Sequence, residues 1–169
     1  MTISRFGPWV FEHDPKETAK NYEATISAAE SCMCPGCANY QAVRQDHFPE
    51  SFTRFLLAMG VDHFKELSVR RVAPLDAGHS LYAGSFGVAG AILEGPGDEN
   101  VNGLRLDVFE EVSPKVHVAL RSWPNPPGPW AADRCVRIRF LMILPWQGED
   151  PSAPVELGSC RGPSDRAQG

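Results

Sequence analysis

With 169 residues, the chain has room for one hydrophobic core and not for two. A formal charge of −5 without a basic stripe argues against a nucleic-acid partner, since the densest cationic runs, "VRR" at 69–71 and "RCVRIR" at 134–139, are short. No apolar run nears the roughly 18 residues of a membrane span, and "MTISRFGPWVFEHDP" lacks the basic start, apolar stretch and cleavage site of a secretory signal; a cytoplasmic location with reduced thiols is therefore expected.

In chain order, the first predicted element is a helix in "HDPKETAKNYEATISAAES". Asp14 suits the N-cap, Pro15 the first helical position and Glu17 the third, while Ala19, Tyr22, Ile26 and Ala29 recur at helical spacing as a buried stripe. Pro35-Gly36 ends it, and a short second helix follows from Asn39 to about Gln45. "FPESFTRFLLAMG" predicts a third, with Phe48, Phe52, Phe55, Leu56 and Met59 on one face and Gly60 just past its end.

Beyond Val61 the period changes to that of strands. "ELSVRRV" (66–72), the glycine-rich "HSLYAGSFGVAGAIL" (79–93), "LRLDVFEEV" (104–112), "KVHVALRSW" (115–123) and "RCVRIRFLMIL" (134–144) read as extended, the third and fourth forming a hairpin across Ser113-Pro114. Helices first and strands after predict an α+β domain, residues 1–147. Its N-terminal helices would pack on one face of an antiparallel sheet of about five strands. Residues 148–169, polar and proline-rich, read as a disordered tail.

The chemistry concentrates in "SCMCPGCANY", where Cys32, Cys34 and Cys37 fall within six positions. Thiolates are soft donors that suit zinc, and Pro35-Gly36 can fold Cys34 and Cys37 onto one ion while Cys32 adds a third ligand. For the fourth, His13 would lie roughly 25 Å along a helix and His47 about 15 Å. His63, His79, His117 and Cys135 could approach only through tertiary folding. His79 is preferred, because it opens the glycine-rich strand where backbone approaches closely. Two alternatives remain open at this point. Cys34 and Cys37 form a C-x-x-C pair before a helix, as in thiol redox enzymes and sensors, although a helix rather than a strand is expected ahead of them. Buried cysteines can also simply pack as small hydrophobes.

Elsewhere the signals are plain. His117 faces Asp107 and Glu111 across the predicted hairpin, which reads as a solvated surface pair. "GSFGVAG" has no following lysine or helix and reads as close strand packing. Trp123 and Trp130 bracket the loop "SWPNPPGPWAAD", which reads as a peptide or partner surface; a protein partner or a homo-oligomer is compatible with the chain.

Four segments, "CMCPGCANYQAV", "FPESFTRFLLAMGVDHFKELSV", "GHSLYAGSFGVAGAIL" and "RIRFLMILPW", occur in an order that resembles a family of small, functionally uncharacterised bacterial proteins. The resemblance spans most of residues 8–147. It implies a shared fold and a shared C-x-C-x₂-C turn followed by Asn39 and Tyr40, and it carries no activity. "YAGSFGVAG" keeps Tyr82, Gly84 and Phe86 but has Gly87 where the family often has histidine, which weakens an enzyme reading. The expectation is a non-catalytic protein holding zinc through Cys32, Cys34, Cys37 and His79 in a structural or regulatory role. Thiol redox chemistry and an immunity-type or regulatory protein-binding module are the alternatives.

Overall fold

The computed structural model describes residues 1–76, 78–97, 99–101, 104–130, 134–148 and 160–161. It begins with a hairpin that the sequence-based expectation does not contain. Strands β1 (Thr2–Phe6) and β2 (Trp9–His13) pair antiparallel across a turn in which Gly7 takes φ 50°. Trp9, Phe11 and His13 point inward in strict alternation.

Helix α1 (Pro15–Glu23) starts as expected, with the Asp14 carboxylate accepting the amides of Lys16 and Glu17. It is shorter than expected, and its inward face is different. Ala19 and Ile26 are exposed, and the buried residues are Thr18, Asn21 and Tyr22. The reason is the surface it covers: α1 packs on a sheet edge that needs hydrogen-bonding groups. Helix α2 (Pro35–Val43) leads through a 3₁₀ turn at Arg44–Asp46 to α3 (Glu50–Ala58), which Gly60 closes at φ 79°. The predicted α3 face is the observed one, with Phe48, Phe52, Leu56 and Met59 buried.

Strands β3 (Ser68–Asp76), β4 (His79–Glu94), β5 (Glu99–Val101), β6 (Leu104–Leu106), β7 (Glu110–Ser113), β8 (Val116–Trp123), β9 (Cys135–Pro145) and β10 (Cys160–Arg161) complete the α+β fold. All described pairings are antiparallel. The main sheet has eight strands and runs β1-β2-β4-β9-β8-β7, with β3 also on β4 and β10 on β3; β5 and β6 form a separate pair. The five-strand expectation missed β1 and β2, and it read 104–112 as one strand. That segment breaks at Asp107, whose carboxylate turns to Arg121 and Arg139. Of the expected tail, Gly148 and the β10 backbone are described; the remainder lies outside the described residues. Phe48, Phe86 and Phe140 pack edge-on and tilted to one another where the helices meet the sheet.

The long strand β4 organises the rest. One edge pairs with β9 along its first eleven residues, while the other takes β3 at His79–Ser85 and β2 at Gly90–Glu94. Between those two partners helix α1 substitutes for a strand. The Tyr22 hydroxyl donates to the Gly87 carbonyl (3.2 Å) and accepts the Gly87 amide (3.1 Å). Thr18 Oγ1 accepts the Ala89 amide at 3.1 Å, and the Asp14 amide donates to the Ala89 carbonyl at 2.9 Å. Backbone groups that a gap would leave unpaired are thereby satisfied.

The segment between α1 and α2 is irregular and is tied down by Glu66, which is fully buried. Its Oε1 accepts the Ser27 hydroxyl (2.5 Å) and the Ala29 amide (2.8 Å), and its Oε2 accepts Arg44 Nη1 at 2.6 Å. Gln41 donates to the Ala29 carbonyl at 2.9 Å. This network delivers the chain to the cysteines.

Candidate metal centre

The cysteines stand at the start of α2, not at the end of α1. Cys34 is the N-cap, Pro35 occupies the first helical position, and the Cys37 amide donates to Cys34 Sγ at 3.3 Å. The sequence places a proline where a missing N–H costs nothing, and the cap just before it is a sulfur. The ligating atoms of Cys32, Cys34 and Cys37 all lie within 4.8 Å of one another. Cys32 and Cys34 are half-buried and Cys37 is buried, so the cluster has an inner and an outer side. Among the described residues no other three His, Cys, Asp or Glu side chains converge in this way.

Three neighbours fix the turn. Asn39 Nδ2 donates to the Tyr82 hydroxyl (3.1 Å) and to the Pro145 carbonyl (3.0 Å), and its Oδ1 accepts the Gln147 amide at 2.8 Å. Tyr82 in turn donates to the Gly36 carbonyl at 3.0 Å, and burial pushes its hydroxyl up to about 12, so it stays a neutral donor. Tyr40, fully buried, packs on Tyr82 and stacks with Phe140. The Asn-aromatic pair after the cysteines is thus a clamp that holds α2 to β4 and β9. Arg71 flanks the turn. Its guanidinium lies 3.9 Å from the Trp146 ring centroid and donates to Ser80 Oγ at 2.9 Å. A Cβ at Gly36 would lie 3.3 Å from Arg71 Cβ, a tight fit.

The donor set fits a soft divalent ion. Tetrahedral zinc at about 2.3 Å from each sulfur requires sulfurs somewhat under 4 Å apart, within reach of rotamer adjustment from the observed spacing.

The histidines go elsewhere. His79 Nδ1 lies 3.1 Å from Asp76 Oδ1 at the mouth of the β3–β4 turn, outside the thiol cluster. His47 Nδ1 bonds the Val43 carbonyl, His13 Nε2 bonds Ser4 Oγ, and His117 faces Glu111 at 3.7 Å. Asp107 is not its partner. Cys135 is buried, donates to the Trp130 carbonyl at 3.1 Å, and is raised by that burial to about 11, the state of an inert structural thiol. Trp130 is also a core residue, its indole N–H on Thr25 Oγ1, and offers no partner surface. At Gly87 a Cβ would meet Leu67 at 2.9 Å and the Trp130 ring at 3.0 Å, so the position is packed shut.

No helix among the described residues is long and apolar enough to cross a membrane. The chain matches no protein-family model, no curated protein and no solved structure.

Proposed function

We propose that Cys32, Cys34 and Cys37 bind one metal ion, zinc by the chemistry of the donors, in a structural or regulatory role. The observation that carries this reading is the convergence of three thiol sulfurs within 4.8 Å on a turn locked by Asn39 and Tyr82. The ion would link the irregular segment at Cys32 to the first turn of α2 at Cys37, and the buried side of the cluster would exclude water from part of its shell. Four-coordinate zinc takes one further donor. His79 stands beside Asp76 outside the thiol cluster, and in this reading water or a group from a partner fills the fourth position. Elemental analysis of untagged protein should give about one zinc per chain. The Cys32→Ser/Cys34→Ser/Cys37→Ser protein should give none, and His79→Ala should keep it. Metal-free wild-type protein with three unprotected thiols would sink the proposal.

A second reading rests on the cap geometry. Cys34 is half-exposed at a helix N-terminus with the Cys37 amide on its sulfur, the arrangement that makes one thiol of a C-x-x-C pair reactive. Reversible loss of two titratable thiols under mild oxidation, without bound metal, would favour it.

A further inference from the structure

The helices cover one face of the sheet, and the other face carries a different chemistry. Strand alternation sends Val136, Ile138, Phe140 and Met142 of β9 into the core and Arg137 and Arg139 to the opposite side. Register then identifies their neighbours, because residues directly opposite share a face. Arg137 is opposite Arg121 on β8 and Gly87 on β4; Arg139 is opposite Ser85, which is opposite Ser68 on β3.

Two like charges directly opposite, Arg121 and Arg137, destabilise a sheet, yet this sheet builds around them. The Asp107 carboxylate, whose side chain is only 2% exposed, receives Arg121 at 2.8 Å and Arg139. Arg137 lies 4.8 Å from the Trp123 ring centroid, and its fork donates to Ser85 Oγ (3.1 Å) and Ser68 Oγ (3.2 Å). The guanidinium planes are therefore held by aromatic, hydroxyl and carboxylate contacts. Small residues on β4, Ala83 and Ser85, leave the face recessed beside them, while Leu67 and Trp130 close it at Gly87.

Two depressions result, of about 470 and 290 Å³, and they share Arg137 and Arg139. Arg121 and Trp123 line the larger and Arg70 the smaller; among the described residues that line either one there is no carboxylate. The larger also has apolar walls, Ile92, Pro96 and Pro124, and its volume is that of a small-molecule site.

We propose that this arginine face binds a small phosphate monoester, with its phosphate on Arg137 and Arg139 and its organic part against Trp123 and Pro96. A carboxylate has two oxygens and is satisfied by one guanidinium fork. A phosphate monoester has three terminal oxygens and close to two charges, and suits several preorganised forks with serine hydroxyls beside them. The short cationic run at 134–139, too small for a nucleic-acid stripe, is the right size for one such group.

The test is a titration of the full-length wild-type protein with inorganic phosphate and then phenyl phosphate, at constant ionic strength, followed by amide and indole NMR. Saturable shifts centred on Trp123, Gly97 and Arg121 are expected, with phenyl phosphate binding tighter than phosphate and acetate at least tenfold weaker. Arg137→Gln should weaken phosphate at least tenfold. Arg54→Gln, on the exposed face of α3, should leave it unchanged. Shifts elsewhere, no saturation, or equal response to acetate would overturn the proposal on the wild-type spectra alone, whether or not the Arg137 variant folds.

Discussion

Two polar clusters anchor the same irregular stretch between α1 and α2, and they are built on different terms. At Glu66 every bond comes from the protein: Ser27, Ala29 and Arg44 satisfy a fully buried carboxylate. At Cys32, Cys34 and Cys37 the protein supplies three convergent donors, half open to solvent, whose joint chemistry is that of a ligand set. The first anchor is complete once the chain folds. If the proposed ion binds, the second would strengthen with metal supply, and the contrast would be between a fixed tether and an adjustable one.

The largest effect should come from the fixed tether. Glu66→Gln removes the buried counter-ion of Arg44 and leaves it only the exposed Glu30 carboxylate at 3.3 Å, and a loss of about 3–5 kcal/mol is expected in urea denaturation. Zinc stoichiometry should survive wherever the variant folds. A loss below about 1 kcal/mol would show that the Glu66 anchor is dispensable. Next comes the adjustable tether. Free zinc at a hundredfold over its dissociation constant should stabilise the protein by about 2.7 kcal/mol, and a chelator should remove that gain from wild type but leave the triple Cys→Ser protein unmoved. Tyr22→Phe, which strips both hydrogen bonds from Gly87, should cost about 1–3 kcal/mol without touching either anchor, and denaturation of zinc-loaded protein would read it directly.

The smallest effect is expected from pH. Burial first, then the N-terminal charge, holds His13 below the ordinary histidine value against the opposing pull of Asp14, and burial acts likewise on His63. The unfolded chain then binds more protons than the folded one between those depressed values and about 6.5, so stability rises with pH across that window and falls on acidification. Thermal melts from pH 7.5 downward should show the decline. His13→Gln should flatten it, and a slope unchanged by that substitution would remove His13 from the account.

Much of this was legible in the chain. Period-2 alternation in β8 and β9 and the Phe48–Met59 face of α3 gave the sheet–helix core, and the spacing of Cys32, Cys34 and Cys37 gave the cluster. Capping chemistry placed the start of α1 but not its end, because its inward face is Thr18 and Tyr22, chosen for hydrogen bonds that apolar periodicity does not register. The β1–β2 hairpin was visible in principle: Gly7-Pro8 is a turn signal just ahead of an alternation of Trp9, Phe11 and His13. A fourth donor for the proposed ion was not legible: His79 stands beside Asp76 outside the thiol cluster, at a turn whose position only the folded chain defines. Nor was the arginine face. It depends on β8, β9, β4 and β3 lying side by side in one register, a relation between segments that no single segment displays.

The plug that α1 places in the edge of β4 has a consequence for the protein's internal clock. Amides in the middle of a sheet normally exchange with solvent only when the whole domain opens. Those of Gly87 and Ala89 are held by side chains of α1, and so their exchange is governed by the undocking of one nine-residue helix. Their neighbours at Gly84 and Phe86, on the β9 ladder, wait for the sheet itself. One strand thus carries two exchange regimes on alternating residues, and the gap between them measures how independently the N-terminal helix breathes.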